Sequence, residues 1–206
     1  MTALTAATGA AHAPPIHPLW LRATHWLNAA AVLVMVTSGW RVYNAAPLFA
    51  FRFPREATLG GWLGGALQWH FAGMWLLGLN GLAYLVLNLA SGRFAHKYFP
   101  LAARDLWLDL RAALRGRLTH SDPRHYNNLQ RLAYLVVIAD LALLVLSGLA
   151  LWKSVQFPLL RELMGGYEGA RLVHFFAMCA LLAFVAGHLV MVALVPRTLL
   201  VMIRGR

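Results

Sequence analysis

The chain is short of charge and of cysteine. Only 12% of its 206 residues are charged, whereas 60% are hydrophobic. A water-soluble domain of this length needs far more polar surface, so the composition excludes one and points to an integral membrane protein. Acids are scarcest, with seven Asp and Glu against 18 Lys and Arg and a formal net charge of +11. The single cysteine, Cys179, excludes an internal disulfide, and without a CxxCH sequence there is no site for covalent haem attachment. The opening stretch MTALTAATGAAHAPPIHP has no basic residue and no separate apolar core, so it does not read as a cleaved signal peptide.

Histidine and tryptophan, by contrast, are plentiful, at nine and eight residues. Trp20, Trp40, Trp62 and Trp152 fall where apolar runs begin and end, as interfacial aromatic belts do. The basic residues cluster in loops between those runs, with few aromatics among them. The expected partner of that charge is a lipid membrane surface, and no nucleic acid is expected.

A spanning helix needs about 20 mostly apolar residues. Four stretches qualify, 19–40, 62–89, 129–152 and 170–195, which predicts an all-α four-helix membrane bundle. Residues 1–18 and 196–206 are then tails on one side. The loop 91–128, the tails and the adjoining span ends hold 12 Lys and Arg against six on the opposite side, which places both termini in the cytoplasm. Within that loop, ARDLWLDLRAALRGRL predicts a surface helix with Leu106, Leu110, Ala113 and Leu114 toward lipid. The outer loops 41–61 and 153–169 are rich in aromatics, Pro and Gly, and are either docking surface or ordered caps. The first and third spans share a Ser-Gly near their outer ends, VTSGW and VLSGL.

The last span, ARLVHFFAMCALLAFVAGHLVM, carries His174 and His188 in an otherwise apolar run. Intramembrane histidine is costly and marks function by default. Fourteen residues at 100° each return nearly to the same direction, so the two lie ~40° apart around the helix and ~21 Å apart along it. The charge-derived topology puts His25 of the first span at the depth of His188, and His70 of the second at the depth of His174. Two neutral imidazoles from facing helices are the ligand set of a bis-histidine haem b, so two such haems are expected. The alternative for any single histidine is a packing residue. A zinc or copper site gathers more ligands at one point than two histidines per depth provide.

Arg22 precedes His25 by three residues and Arg171 precedes His174 by three, one helical turn away in each case. Each is a candidate partner for a haem propionate or an ordinary snorkelling arginine. Gly39, Gly81 and Gly148 are candidate small residues opposite a macrocycle, or plain packing residues. Asn127 and Gln130, at the mouth of the third span, either offer amide donors to a quinone carbonyl or form a helix cap. Asp140 is the only carboxylate inside a span and has no assigned role. Solvated positions are expected for His12, His17, His96, His120 and His125.

Two axial histidines leave iron no open position, which favours electron transfer over oxygen chemistry. Taken together, the four histidines, YNNLQR at 126–131, GGYEGARLVHF at 165–175 and the closing VPRTLLVMIRGR resemble the prokaryotic di-haem cytochrome b subunits. These are the cytochrome b561/Ni,Fe-hydrogenase superfamily, and the thiosulfate-reductase type looks nearest. The resemblance runs from Pro18 onward. It implies haem pairs His25/His188 and His70/His174 and a bacterial inner membrane location. It also implies a periplasmic catalytic partner subunit, of molybdopterin or hydrogenase type, and quinone beside Asn127 and Gln130. Leu129 stands where formate-dehydrogenase relatives have Gly. The implied function is electron transfer between that partner and the quinone pool. The alternative is a stand-alone superoxide:ubiquinone oxidoreductase drawing its anion to Arg41, Lys153, Arg161 and Arg171. A cofactor-free proton-coupled transporter is a third reading.

Overall fold

Long runs of leucine, alanine and valine without interior proline favour uninterrupted helices. The computed structural model describes residues 16–115 and 126–205. In order these form α1 (Leu19–Ala45), a 3-10 turn (Arg55–Ala57), α2 (Leu63–Ala90), α3 (Arg93–Tyr98) and α4 (Ala103–Leu114). Then come α5 (Asn128–Trp152), α6 (Pro158–Leu163), α7 (Gly166–Leu194) and α8 (Arg197–Arg204). No strand occurs among the described residues. His12, His120, His125 and most of the N-terminal tail lie outside them.

Four helices, α1, α2, α5 and α7, are long and apolar enough to cross a membrane. They are the four expected spans. With 25 to 29 residues they are roughly 38–44 Å long, more than the ~30 Å hydrocarbon core, so their ends reach the headgroup layer or the helices tilt. α1 runs to Ala45, past the expected Trp40. α7 starts at Gly166, before the expected Ala170, because Gly165 at φ +84° turns the chain into the helix in a region side chains disfavour.

α1 packs along α2 and α5 along α7, giving two hairpins; helices from different hairpins approach one another less closely. The first seam is built on small residues: a Cβ at Gly73 would stand 3.0 Å from Met35 Sδ. Asn80 locks it, its amide donating to the Thr24 carbonyl and to Asn28 Oδ1, both at 2.7 Å. Loop 46–62 is an ordered cap. Asn44 exchanges two hydrogen bonds of 2.9 Å with the Phe53 backbone, Trp40 stacks on Phe53 at 4.7 Å, and Tyr43 stacks on Phe175 at 5.3 Å.

The expected helix forms as α4. Leu106, Leu110 and Ala113 are half-covered, the Leu114 side chain lies outside those described, and Trp107 and Leu108 are exposed. A polar tether fixes the helix. Asp109, on the covered face, accepts a 2.7 Å hydrogen bond from the Asn128 N–H, setting a carboxylate at the positive N-terminus of α5.

Candidate functional site

α7 faces the first hairpin and places one histidine near each of its ends. The rings of His188 and His25 (α1) have centres 6.1 Å apart with planes at 62°. Those of His174 and His70 (α2) are 6.4 Å apart at 68°. The histidines that spacing and charge assigned to common depths are thus brought together pairwise. An imidazole nitrogen binds a transition metal at about 2.0–2.1 Å, and the ring centre lies about 1.1 Å behind it. Two rings on opposite sides of one metal therefore have centres roughly 6.3 Å apart. Both pairs have that separation. Among the described residues no three His, Cys, Asp or Glu gather as a metal cluster, so the arrangement suits a metal that brings its own equatorial ligands.

The His70/His174 pair, the outer one in the expected topology, rests on the two Ser-Gly steps. Ser38 Oγ lies 3.0 Å from His70 Nδ1, and Ser147 Oγ lies 2.8 Å from His174 Nδ1. Gly39 and Gly148 face the same rings: a Cβ there would stand 3.3 Å from His70 Cε1 and 3.5 Å from His174 Cε1. These glycines therefore make room for the histidines themselves. Gly81 has no neighbouring atom within 4 Å of a Cβ position, so it is not a close-packing glycine. α5 supplies no histidine but does supply one of the seats. The serines were visible in the sequence as a repeated pair; their targets, on the following transmembrane helix, were not.

The inner pair has a different setting. His25 meets Trp26 edge-on at 5.3 Å, and His188 stacks on Phe184 at 6.1 Å and 7°. Around it lie buried nitrogens without a hydrogen-bond partner: the Arg22 Nε and Arg93 Nε donors and the His17 ring atom Nδ1. His17 is half-buried, not the solvated position its sequence context suggested. Burial and the nearby charges of Arg93, Lys97 and His25 hold its pKa below the ordinary histidine value. His96 is exposed as expected. Nearby, Tyr84 and Tyr98 share a 2.7 Å hydrogen bond, and burial pushes the Tyr98 and Tyr126 hydroxyls up from their usual pKa.

Both arginines flanking the histidines have protein partners. Arg22 Nη1 donates to the Ile203 carbonyl at 2.6 Å, tying α1 to α8. Arg171 pairs with Glu168 at 2.8 Å and donates to the Ala46 carbonyl, anchoring the outer cap. Asn127 and Gln130 form a capping box: Asn127 Oδ1 accepts from the Gln130 N–H at 2.7 Å, and Gln130 Oε1 accepts from the Asn127 N–H at 3.2 Å. Their oxygens serve the start of α5. Asp140 Oδ2 is buried without a partner.

Residues 16–205 match the family described as "Prokaryotic cytochrome b561". A protein of Azospira oryzae, "Putative protein-methionine-sulfoxide reductase subunit YedZ1", is 65% identical over 190 residues, 92% of this chain and 96% of the relative. The four spans, the paired histidines and the match over almost the whole length agree: the chain belongs to the prokaryotic cytochrome b561 family, membrane electron-transfer proteins whose name implies haem b.

Proposed function

We propose that the chain binds two b haems, one between His25 and His188 and one between His70 and His174, and carries electrons across the membrane. The observation that carries this reading is the spacing of the two ring pairs, 6.1 and 6.4 Å, at opposite ends of α7. When bound, haem b supplies a one-electron carrier. The chain's part is to hold four neutral imidazoles at fixed separation, half-buried between two hairpins, and to offer charge at the bilayer surfaces. Arg22 and Arg171 stand one turn from the inner and outer pair and are the cations we assign to haem carboxylates. The orphaned donor of Arg93 supports the inner assignment.

The terminals follow from the relative and from the inner end of α5. We assign the outer terminal to a periplasmic catalytic subunit that reduces methionine sulfoxide, on the strength of the 65% identical relative's name. That substrate was not legible in this sequence. We assign the inner terminal to quinone near Asn127 and Gln130, whose oxygens are engaged in the cap while their amide N–H groups have no partner among the described residues. Both termini are then cytoplasmic. The superoxide alternative leans on Arg41, Lys153, Arg161 and Arg171; of these Arg161 pairs with Glu162 at 2.7 Å, Arg171 with Glu168 at 2.8 Å, and Lys153 sits 4.5 Å over Trp152.

The test is reconstitution into liposomes. Reduced quinol should reduce the b bands, and methionine sulfoxide should reoxidise them only when the catalytic subunit is present outside. Failure of quinol to reduce the bands contradicts the inner terminal. Rapid reduction by superoxide with no partner replaces the outer one.

A further inference from the structure

The two hairpins repeat one small construction. In α1, Ser38 Oγ lies 2.6 Å from the Val34 carbonyl and 3.0 Å from His70 Nδ1. In α5, Ser147 Oγ lies 2.7 Å from the Leu143 carbonyl and 2.8 Å from His174 Nδ1. Both serines are fully buried, at 0% exposure, so no bulk water competes for these bonds. A glycine follows each and gives the ring its space.

The proton count decides the direction of each bond. A hydroxyl has one proton to donate. At 2.6 and 2.7 Å, that proton goes to the carbonyl one turn back, and the oxygen is left to accept. The ring must therefore donate, which puts the imidazole proton on Nδ1 and the lone pair on Nε2. The hydroxyl, polarised by its own donation, is a good acceptor for that ring proton.

Nothing equivalent holds the inner pair. Among the described residues, His25 and His188 have aromatic neighbours and no side-chain hydrogen-bond partner. We propose that Ser38 and Ser147 are positioning residues that make the two histidine pairs unequal. They lock His70 and His174 as Nδ1–H tautomers at fixed ring angles, and they make the Nε2 atoms stronger donors than those of His25 and His188. Donation from Nδ1–H to an acceptor raises ligand basicity. A more basic axial ligand favours the ferric state, so the serines depress the potential of the outer haem and leave the inner one untouched. This inference rests on the two-haem reading above and deepens it.

The test uses the purified full-length protein as wild type, Ser38→Ala, Ser147→Ala and the double variant. Potentiometric titration gives the two midpoint potentials, and low-temperature EPR gives the g-values of each ferric haem. The His25→Leu variant, retaining the outer haem alone, assigns the signals. Each alanine variant should raise the potential and alter the g-values of the outer haem, the double variant most, with the inner haem unmoved. Selective loss of the outer haem supports the same conclusion, because a retained inner haem reports a folded bundle. An unchanged or lowered outer potential in the double variant overturns the proposal, as does an equal shift or loss of both haems. A wild-type content other than two haems counts against the underlying reading and is scored separately from the serine comparison.

Discussion

Gly39 and Gly148 look alike in sequence, yet the structure separates them by 0.2 Å in a way that measurement can read. A Cβ at Gly39 would stand 3.3 Å from His70 Cε1, and one at Gly148 would stand 3.5 Å from His174 Cε1. Carbon pairs are comfortable at about 3.5–4.0 Å. Gly148→Ala therefore makes an ordinary contact, whereas Gly39→Ala must push the His70 ring back by a few tenths of an ångström. That ring is held on the same side by Ser38 at 3.0 Å, so the shift stretches the bond that orients it. Disturbing the support of a metal ligand costs about 10–100-fold in affinity. Helix propensity acts in the opposite sense: glycine to alanine stabilises a helix interior by about 1 kcal/mol, so a weaker site cannot be ascribed to a weaker helix. The expected order of outer-haem retention is wild type, then Gly148→Ala close behind, then Gly39→Ala, with Gly39→Val lowest. The assay is haem per chain by pyridine haemochrome after detergent dilution, with reduced b-band amplitude as a check. Full retention of two haems in Gly39→Val would refute the reasoning.

Three further outcomes follow from the same geometry. The ring planes of each pair cross at 62° and 68°; crossed imidazoles nearly cancel each other's splitting of the iron d orbitals, so both ferric haems should give strongly anisotropic low-spin EPR signals, and rhombic signals typical of parallel rings would contradict the angles. Asn80→Leu removes two interhelical bonds at the α1–α2 seam; at ~0.6–1.7 kcal/mol each in a membrane, it should lower stability by about 1–3 kcal/mol in a reversible unfolding assay, and an unchanged midpoint would contradict the account. His17 has a lowered pKa, so the folded protein binds fewer protons there than the unfolded chain; its stability contribution is present above about pH 6.5 and lost as pH falls through the lowered value. Thermal scans should show acid destabilisation over that window and a flatter profile in His17→Gln.

The sequence made the spans legible because lipid imposes a long apolar signal, and the histidines legible because an imidazole in hydrocarbon has to be explained. The depth pairing needed only helical geometry and loop charge. Other features depended on tertiary neighbours. The reach of Ser38 to His70 crosses between α1 and α2, and no local pattern states it. The burial of His17 comes from its docking against the C-terminal end, where the Ile16 N–H donates to the Gly205 carbonyl at 2.9 Å. α4 was expected from its apolar row, but the tether of Asp109 to the Asn128 N–H was not. Asn127 and Gln130 show the converse: their spacing was ambiguous, and the structure uses it for a capping box.

The central claim is two bis-histidine haems at two depths, and a haem count on the purified protein tests it most directly. The account predicts two b haems per chain, with sharp dithionite-reduced bands, falling to one when His25 or His70 alone is replaced by leucine. A colourless protein from haem-replete cells, or one haem that both substitutions abolish, would contradict it.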